Sequence, residues 1–229
     1  MSRFSSRLLW LAVPALLGTS VFAATTPGTT PQGTAAPKNP LALQFKTPSA
    51  ARGAAIAGTC AGCHGKTGVS VQADIPSLAG QIPNYTQFQL AAFRAKLRPS
   101  NVMQQVASKL SDQDIADLSA YYAAQAVGPA WKAEPAARAR GQKLFTAGDP
   151  ARNVIACAVC HGSNGRGLNA NHIASVTNLP PEYALEVLKE FHEAPTFGGL
   201  VPPETMRIAV KPLTDKDLKD VATYISSMK

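Results

Sequence analysis

The chain has 229 residues, 45% of them hydrophobic, and is therefore long enough for one large domain or two small ones. Its formal charge is +8, but the basic residues are dispersed along the chain, which argues against nucleic-acid binding. An excess of this size can instead attract an acidic protein or an anionic membrane surface. All four cysteines lie in two copies of one five-residue motif, which favours two equivalent domains.

Residues 1–23 have the pattern of a signal peptide. Arg3 and Arg7 precede the apolar run LLWLAVPALLG, and Ala23 ends an A-x-A-like cleavage site. The run is shorter than the ~20 residues that a membrane-spanning helix needs, and Pro14 interrupts it. We therefore predict cleavage after Ala23, export to the periplasm and a mature chain of charge +6. No later segment of the sequence is apolar enough to span a membrane.

The rest of the chain divides into four segments by composition and internal repetition. Residues 24–50 are rich in Pro, Thr, Gly and Ala and have no helical or strand periodicity, which predicts a disordered leader. A second stretch with Pro and Gly, 126–137, predicts a linker. On either side of the linker the sequence repeats, and CAGCHG recurs as CAVCHG 97 residues later. The repeat predicts two related domains, residues 51–125 and 138–229.

Each repeat has helical patterns and no credible strand, so we predict an all-α fold. Ser111 and Thr214 stand where helix N-caps are expected. Each is followed three residues later by an aspartate, Asp114 or Asp217, in a pattern like a capping box. The helices that follow are expected to close their domains with one apolar face each, formed by Ile115, Leu118 and Tyr122 and by Leu218, Val221 and Ile225.

The repeated motif CxxCH has three plausible uses. A structural zinc site needs four ligands, and this spacing crowds the histidine against the second cysteine. A thioredoxin-like redox pair needs a βαβ context, which the sequence lacks. Covalent haem attachment needs two thiols one helical turn apart and a histidine that reaches the iron, and export of the chain fits this use. The candidate attachment residues are Cys60, Cys63, Cys157 and Cys160, and the candidate iron ligands are His64 and His161.

The sixth ligand of each iron decides between electron transfer and catalysis. Met103 and Met206 occupy equivalent places in the two repeats, each eight residues before the N-cap of the closing helix. We therefore predict both as axial ligands, whereas Met228 has no counterpart in the first repeat. A methionine in the sixth position completes the coordination of the iron and raises its reduction potential relative to a second histidine, which favours electron transfer. His172 and His192 are expected at the surface; either one in place of Met206 would lower the potential.

Several residues near the motifs are expected to support the haem. Gly65 and Gly162 follow the histidines and allow the chain to turn away from the ring. A backbone carbonyl near Pro76 is expected to accept the hydrogen bond of the imidazole nitrogen that does not face the iron. Gly53 and Gly141 in the first helices are expected to let tyrosines of the last helices pack closely where these helices cross.

Each half thus resembles a class I cytochrome c, with CxxCH, a proline-containing loop, a methionine and a closing helix with aromatic residues. The tandem arrangement, with PSLAGQ and NVMQQVASKLSDQDIADLSAYY, resembles the dihaem cytochrome c4 family over residues 50–229. The resemblance implies two tandem class I cytochrome c domains related by a pseudo-twofold axis, with haem propionate edges facing each other. It also implies electron transfer to terminal oxidases or among periplasmic redox proteins, with peripheral membrane association in some members.

The second half departs from this pattern. ASVTNLPPEY stands where the first half has PSLAGQIPNY, so Ala174 replaces the loop proline and the LAGQ element is lost. Nine extra residues lie between Ala139 and Cys157. The carbonyl of Ala174 could still orient His161, because that hydrogen bond needs no side chain. We expect the second haem to be the more distinctive of the two in potential or partner choice.

The sequence therefore predicts a periplasmic dihaem electron carrier, without nucleic-acid partners. Its expected partners are redox proteins, including a membrane-bound terminal oxidase or a dehydrogenase. A dihaem enzyme, such as a peroxidase or a thiosulfate dehydrogenase, is a weaker alternative because each haem has its own methionine. A dedicated electron-accepting subunit of a periplasmic dehydrogenase shares all of this chemistry and remains open.

Overall fold

The computed structural model describes residues 39–193 and 204–229, and all regular structure in these ranges is helical. This confirms the all-α fold class; the two β-bridges within these ranges are isolated and form no strand. The predicted signal peptide, residues 1–23, lies outside the described residues. The α-helices are α1 (Ala50–Ile56), α2 (Gly58–His64), α3 (Pro83–Arg94), α4 (Asn101–Ala107), α5 (Asp112–Ala123), α6 (Pro135–Ala147), α7 (Ala158–His161), α8 (Pro181–Glu193), α9 (Glu204–Val210) and α10 (Asp215–Ser226).

The first and last helices of each domain cross in close contact, α1 with α5 and α6 with α10. A Cβ atom on Gly53 would collide with the backbone carbonyl oxygen of Asp117 in α5. A Cβ atom on Gly141 would collide in the same way with the carbonyl of Asp220 in α10. The tyrosines at these two crossings are Tyr121 and Tyr224. The expected role of the two glycines is therefore confirmed.

An ion pair stabilises each crossing, and its arginine directly precedes the glycine. Arg52 binds Asp117 and Arg140 binds Asp220, each at 2.7 Å between Nε and a carboxylate oxygen. Both carboxylates are buried, with side chains 3% and 6% exposed. Hydrogen bonds from the arginines lower the pKa of each aspartate despite its burial. The two domains therefore share one device for joining their terminal helices.

The N-termini of the closing helices also match. Ser111 and Thr214 cap α5 and α10, and each forms the expected capping box with an aspartate three residues later. The predicted apolar faces of the two helices are buried. They hold the closing helices against the rest of each domain.

The two domain cores use different side chains at equivalent positions, beside Gly68 and Gly165. In the first domain, the ring of Tyr122 lies so close to Gly68 that a Cβ there would be 2.6 Å from a ring carbon. In the second domain, the sulfur of Met228 lies 3.2 Å from the place a Cβ on Gly165 would take. Met228 is buried in the core of that domain. Its side chain fills space that a larger aromatic ring occupies in the first domain.

The nine extra residues of the second domain lie between α6 and the second motif. They include a short 3₁₀ helix, Pro150–Arg152, after a turn at Gly148 with φ of 67°. Arg152 binds Asp149 at 2.7 Å and Asp217 at 2.8 Å. Since Asp217 belongs to the capping box of α10, this insertion is attached to the closing helix.

The end of the predicted leader also contacts a closing helix. The backbone amides of Gln44 and Lys46 donate hydrogen bonds to side chains at the start of α5, at 2.7 and 2.8 Å. The amide of Ser49 donates to Asp117 at 2.6 Å. Composition alone predicted disorder up to residue 50, but polar side chains on α5 provide partners for this backbone. The leader before residue 39 lies outside the described residues.

The two domains contact each other through the segment around the start of α3. Gln81 exchanges two hydrogen bonds with the backbone of Ser175. Asn84 makes two with Asn169, at 3.1 and 3.0 Å. Further bonds join Tyr183 to Ala73 and to Arg98.

Helix α6 begins at Pro135, within the segment predicted as a linker. None of the helices in residues 39–193 and 204–229 is long and apolar enough to cross a membrane.

Candidate haem sites

The first motif lies at the end of α2, so that helical geometry sets the spacing of its cysteines. Cys60 and Cys63 are one turn apart, the former half-buried and the latter exposed. His64 is the last residue of the helix and is buried. Gly65, with φ of 83°, ends the helix in a conformation that other residues rarely adopt. The turn leads the chain away from the histidine, as expected.

A backbone carbonyl fixes the orientation of His64. Its Nδ1 lies 2.8 Å from the carbonyl oxygen of Pro76, which accepts the hydrogen bond. The expected contact near Pro76 is therefore confirmed. Burial lowers the pKa of His64, and the hydrogen bond to Pro76 opposes this only in part. The lowered pKa favours the neutral ring, in which Nδ1 is engaged by the carbonyl and Nε2 is the nitrogen that can bind a metal.

The second motif repeats this arrangement on a shorter helix. α7 ends at His161, and Gly162 follows it with φ of 77°. Nδ1 of the buried His161 lies 2.9 Å from the carbonyl oxygen of Ala174. This confirms that the contact survives the loss of the loop proline. Burial lowers the pKa of His161 as it does in the first domain, and it raises the pKa of Cys157 to about 11.

The loop after each histidine keeps its backbone path although its sequence has changed. The amide of Gly80 donates to the carbonyl of Tyr122 at 2.9 Å, and the amide of Asn178 donates to that of Ile225 at 3.0 Å. Gly80 and Asn178 are both left-handed, with φ of 70° and 54°. Asparagine is one of the few side chains that tolerate this region. The lost LAGQ element therefore changed the side chains of the loop more than its course.

The predicted axial methionines occupy matching places. Met103 is the third residue of α4, and Met206 is the third residue of α9. Both are half-buried. The backbone amide of Met103 donates a hydrogen bond to the N-cap side chain of Ser100 at 3.3 Å, which fixes the start of α4. Met206 packs against the core of the second domain. Their assignment as iron ligands remains a prediction.

The two remaining histidines lie elsewhere. His172 is exposed, with φ of 56°, and its ring centroid lies 6.2 Å from that of Phe88 in α3. This confirms its expected place at the surface, beside the contact between the domains. His192 is half-buried near the end of α8.

The residues around the motifs fit a covalently attached haem. The four cysteines form no disulfide with one another. In the first domain, the hydroxyl of Tyr122 is buried and has no hydrogen-bond partner in the described part of the chain. Tyr122 belongs to the cluster against which Cys60 packs, and burial with the nearby thiol raises its pKa. Cys60 would hold the haem by a thioether bond, whose sulfur would replace the thiol in this cluster.

Sequence reasoning missed the role of Gln81. The sequence places Gln81 only in the PSLAGQ stretch shared with the family, whereas in the structure its side-chain amide joins the two domains. The signal available in the sequence was its replacement by Leu179 at the matching place of the second repeat. A polar residue that is present in one repeat and absent from the other indicates a contact that only one of the two domains makes.

Comparison with known proteins agrees with this geometry. The Cytochrome c family profile matches residues 50–124 and 138–229. The chain is 33% identical over 172 residues to cytochrome c4 of Thiocapsa roseopersicina, covering 75% of this chain and 88% of the relative. It is 30% identical over 176 residues to the thiosulfate dehydrogenase electron acceptor of Thiomonas intermedia, covering 75% of this chain and 79% of the relative.

A solved structure gives the same result for the fold. The reduced recombinant cytochrome c4 from Pseudomonas stutzeri matches with a TM-score of 0.73 and 29% identity, covering 80% of this chain and 100% of that one. Two CxxCH motifs in two cytochrome c domains correspond to two haem c groups. The expected family, fold and cofactors are thereby confirmed, as is the expectation of a carrier rather than an enzyme. The chain belongs to the cytochrome c4 family and is a dihaem electron carrier with two cytochrome c domains in tandem.

Proposed function

We propose that the protein carries electrons in the periplasm between respiratory or other redox proteins, with one His/Met-ligated haem in each domain. His64 and Met103 ligate the first iron, and His161 and Met206 ligate the second. Cys60 and Cys63, and in the second domain Cys157 and Cys160, form the thioether bonds. The observation that carries this proposal is the duplication of the whole arrangement, because histidine, carbonyl and methionine recur at matching places.

The protein's own residues keep each site closed to substrates. A haem c group supplies a one-electron centre when it is bound. A histidine and a methionine from each domain would both ligate its haem iron, which would then have no coordination position free for a small molecule. The carbonyls of Pro76 and Ala174 hold the histidine rings and strengthen them as donors. Such sites exchange electrons with little rearrangement.

Three methionine variants of the holoprotein test the ligand assignment. We expect Met103→Leu and Met206→Leu each to remove about half of the ferric sulfur-to-iron charge-transfer band, since each removes one of two sulfur ligands. Met228→Leu is the matched control, because its sulfur lies in the core of the second domain. It should leave the band intact. Loss of the band in Met228→Leu, or an unchanged band in either of the others, would contradict the assignment.

Export of the chain is part of the proposal, since haem c is attached outside the cytoplasm. The pattern that supports it is the charged and apolar sequence before Ala23. N-terminal sequencing of the protein from a periplasmic fraction should begin at Ala24. A protein that retains residues 1–23 would show that this segment is an anchor instead.

The partner is a choice between two kinds of redox protein. A terminal oxidase would accept electrons from the carrier, whereas a dehydrogenase would donate them. The similarity to the thiosulfate dehydrogenase electron acceptor of Thiomonas intermedia favours testing the second kind. We would mix oxidised holoprotein with a thiosulfate dehydrogenase and thiosulfate and follow haem reduction by stopped flow. Rapid reduction supports a dedicated acceptor; slow reduction with rapid oxidation by a terminal oxidase supports a respiratory carrier.

A further inference from the structure

Gln81 of the first domain is hydrogen-bonded to the second domain through both ends of its amide. Its Nε2 donates to the carbonyl oxygen of Ser175 at 2.9 Å, and the amide of Ser175 donates to its Oε1 at 2.8 Å. Both residues are buried. The amide of Ile82 also donates to Oε1 at 2.8 Å, which fixes the orientation of the side chain. This contact is thus shielded from water, and three hydrogen bonds orient the Gln81 side chain.

The peptide group that Gln81 contacts also holds the proximal histidine of the second domain. The N–H of Ser175 and the carbonyl of Ala174 belong to one peptide unit. That carbonyl accepts the hydrogen bond of His161 at 2.9 Å, while the N–H donates to Gln81 at 2.8 Å. A continuous chain therefore runs from the imidazole through one peptide to the amide of Gln81. Hydrogen bonds in such a chain polarise and strengthen one another.

Within the described residues, only the first domain makes this contact with the other. Leu179 stands at the place in the second repeat that matches Gln81. Its side chain carries no amide, so it cannot make the corresponding contact with the peptide between Pro76 and Ser77. The orientation of His64 therefore depends on its own domain, whereas the peptide that orients His161 is also held by the first domain.

We propose that Gln81 is a positioning residue for the haem of the other domain: it polarises the Ala174–Ser175 peptide, strengthens the bond to His161 and lowers the potential of the second haem. The proposal rests on the proposed function, in which His161 binds iron. A stronger hydrogen bond at Nδ1 makes the imidazole a better donor. A better donor stabilises ferric iron relative to ferrous iron. Through Gln81, the first domain thereby sets part of the difference between the two haems.

A purely structural role for Gln81 is the competing explanation, and Asn84 provides the matched control. Asn84 also joins the domains with two hydrogen bonds, at 3.1 and 3.0 Å. Its partner Asn169 lies outside the peptide that holds His161. Loosening of the interface should therefore affect Asn84→Ala and Gln81→Leu alike, whereas polarisation of the peptide should affect Gln81→Leu alone.

The test compares wild-type holoprotein with Gln81→Leu, Gln81→Met and Asn84→Ala by redox titration, with NMR signals that resolve the two haems. In both Gln81 variants, the second haem should show about a two- to threefold higher ratio of reduced to oxidised form at a fixed potential, equal to ~18–28 mV at 59 mV per tenfold change. The first haem should not change. In the reduced protein, the Nδ1 proton of His161 should exchange faster with solvent, because its hydrogen bond is weaker.

Gln81→Met keeps the length of the side chain and serves if Gln81→Leu fails to fold. An unchanged second haem in the Gln81 variants, equal changes in both haems, or an equal change in Asn84→Ala would overturn the proposal. These outcomes are distinguishable from failure of the proposed function. That failure would appear in the wild-type protein as a second haem without the spectrum of His/Met ligation.

Discussion

The two domains hold their histidines by the same backbone contact, although the loops that supply it share little sequence. Pro76 and Ala174 both present a carbonyl at 2.8 to 2.9 Å from Nδ1 of the histidine. Around this contact, the side chains differ: Gln81 faces the other domain where the second repeat has Leu179. The comparison teaches that the protein preserves the proximal contact and varies what surrounds it.

The scaffold shows the same division between shared and distinct parts. Both domains cross their terminal helices at a glycine that follows an arginine. The second domain adds an insertion that Arg152 attaches to Asp217 at the start of α10. It also replaces the ring of Tyr122 in the core with Met228. Variants in the shared crossing, in the insertion and in the altered loop test this division.

The largest expected effect concerns the shared helix crossings. Gly53→Ala and Gly141→Ala should each lower the free energy of unfolding of their domain by about 3 kcal/mol, because the new methyl group collides with a helix backbone. Thermal unfolding of the holoprotein measures the loss. Gly62→Ala is the control, since a Cβ there meets no atom within 4 Å. It should be neutral or slightly stabilising.

Equal losses in the two glycine variants would support a common scaffold. A loss in one variant without the other would show that the crossings are not equivalent. A loss of similar size in Gly62→Ala would mean that the test responds to the motif region rather than to the crossing.

The next effect concerns the insertion of the second domain. Asp217→Asn should destabilise that domain by about 1 kcal/mol through the weakened capping box. Asp114→Asn alters the matching capping box of α5, without an insertion beside it, and is the control. We expect the larger loss for Asp217→Asn because Arg152 also loses one of its two carboxylate partners. Chemical denaturation of both variants at neutral pH measures the difference, and a larger loss in Asp114→Asn would contradict it.

The same carboxylate predicts a pH dependence. Burial acts to raise the pKa of Asp217, but hydrogen bonds from Arg152 and Thr214 outweigh it and lower the pKa to about 2. Because the folded state favours the ionised form, the contribution of Asp217 is full above its ordinary pKa of 3.8. It is lost as the pH falls towards 2. Denaturation between pH 5 and about 2 should therefore show a steeper decline for the wild type than for Asp217→Asn.

A change of similar size, but towards greater stability, is expected in the altered loop. Asn178 is left-handed, and both polar atoms of its buried side chain lack a partner in the described residues. Asn178→Gly restores the residue type of Gly80 and should raise the stability of the second domain by about 1 kcal/mol. Thermal unfolding measures the change. A loss of stability would indicate that the amide binds a group of its own, such as an ordered water.

Much of the site was predictable because local sequence determines it. The motif spacing, the turn after each histidine and the capping boxes depend on residues within one helical turn. Gly53 and Gly141 were predictable from the repeat. The carbonyl of Ala174 was also predictable, because a backbone group survives a change of side chain.

The remaining features depend on distant residues that meet only in the folded chain. Gln81 and Ser175 are 94 residues apart, and no local pattern joins them. Arg152 and Asp217 are 65 residues apart. Composition predicted a disordered leader because it contains no information on the hydrogen-bond acceptors of α5, such as Asp117, which bind the backbone of this segment. Such contacts can be predicted only once the tertiary structure is known.

A redox titration of the purified holoprotein, followed by optical spectra, tests most directly whether the two domains hold two His/Met haems on one scaffold. We predict two one-electron steps, with both ferric haems low-spin and the sulfur-to-iron band at the intensity of two haems. Half of that intensity, or a high-spin fraction, would show that one iron lacks its methionine and would contradict the account.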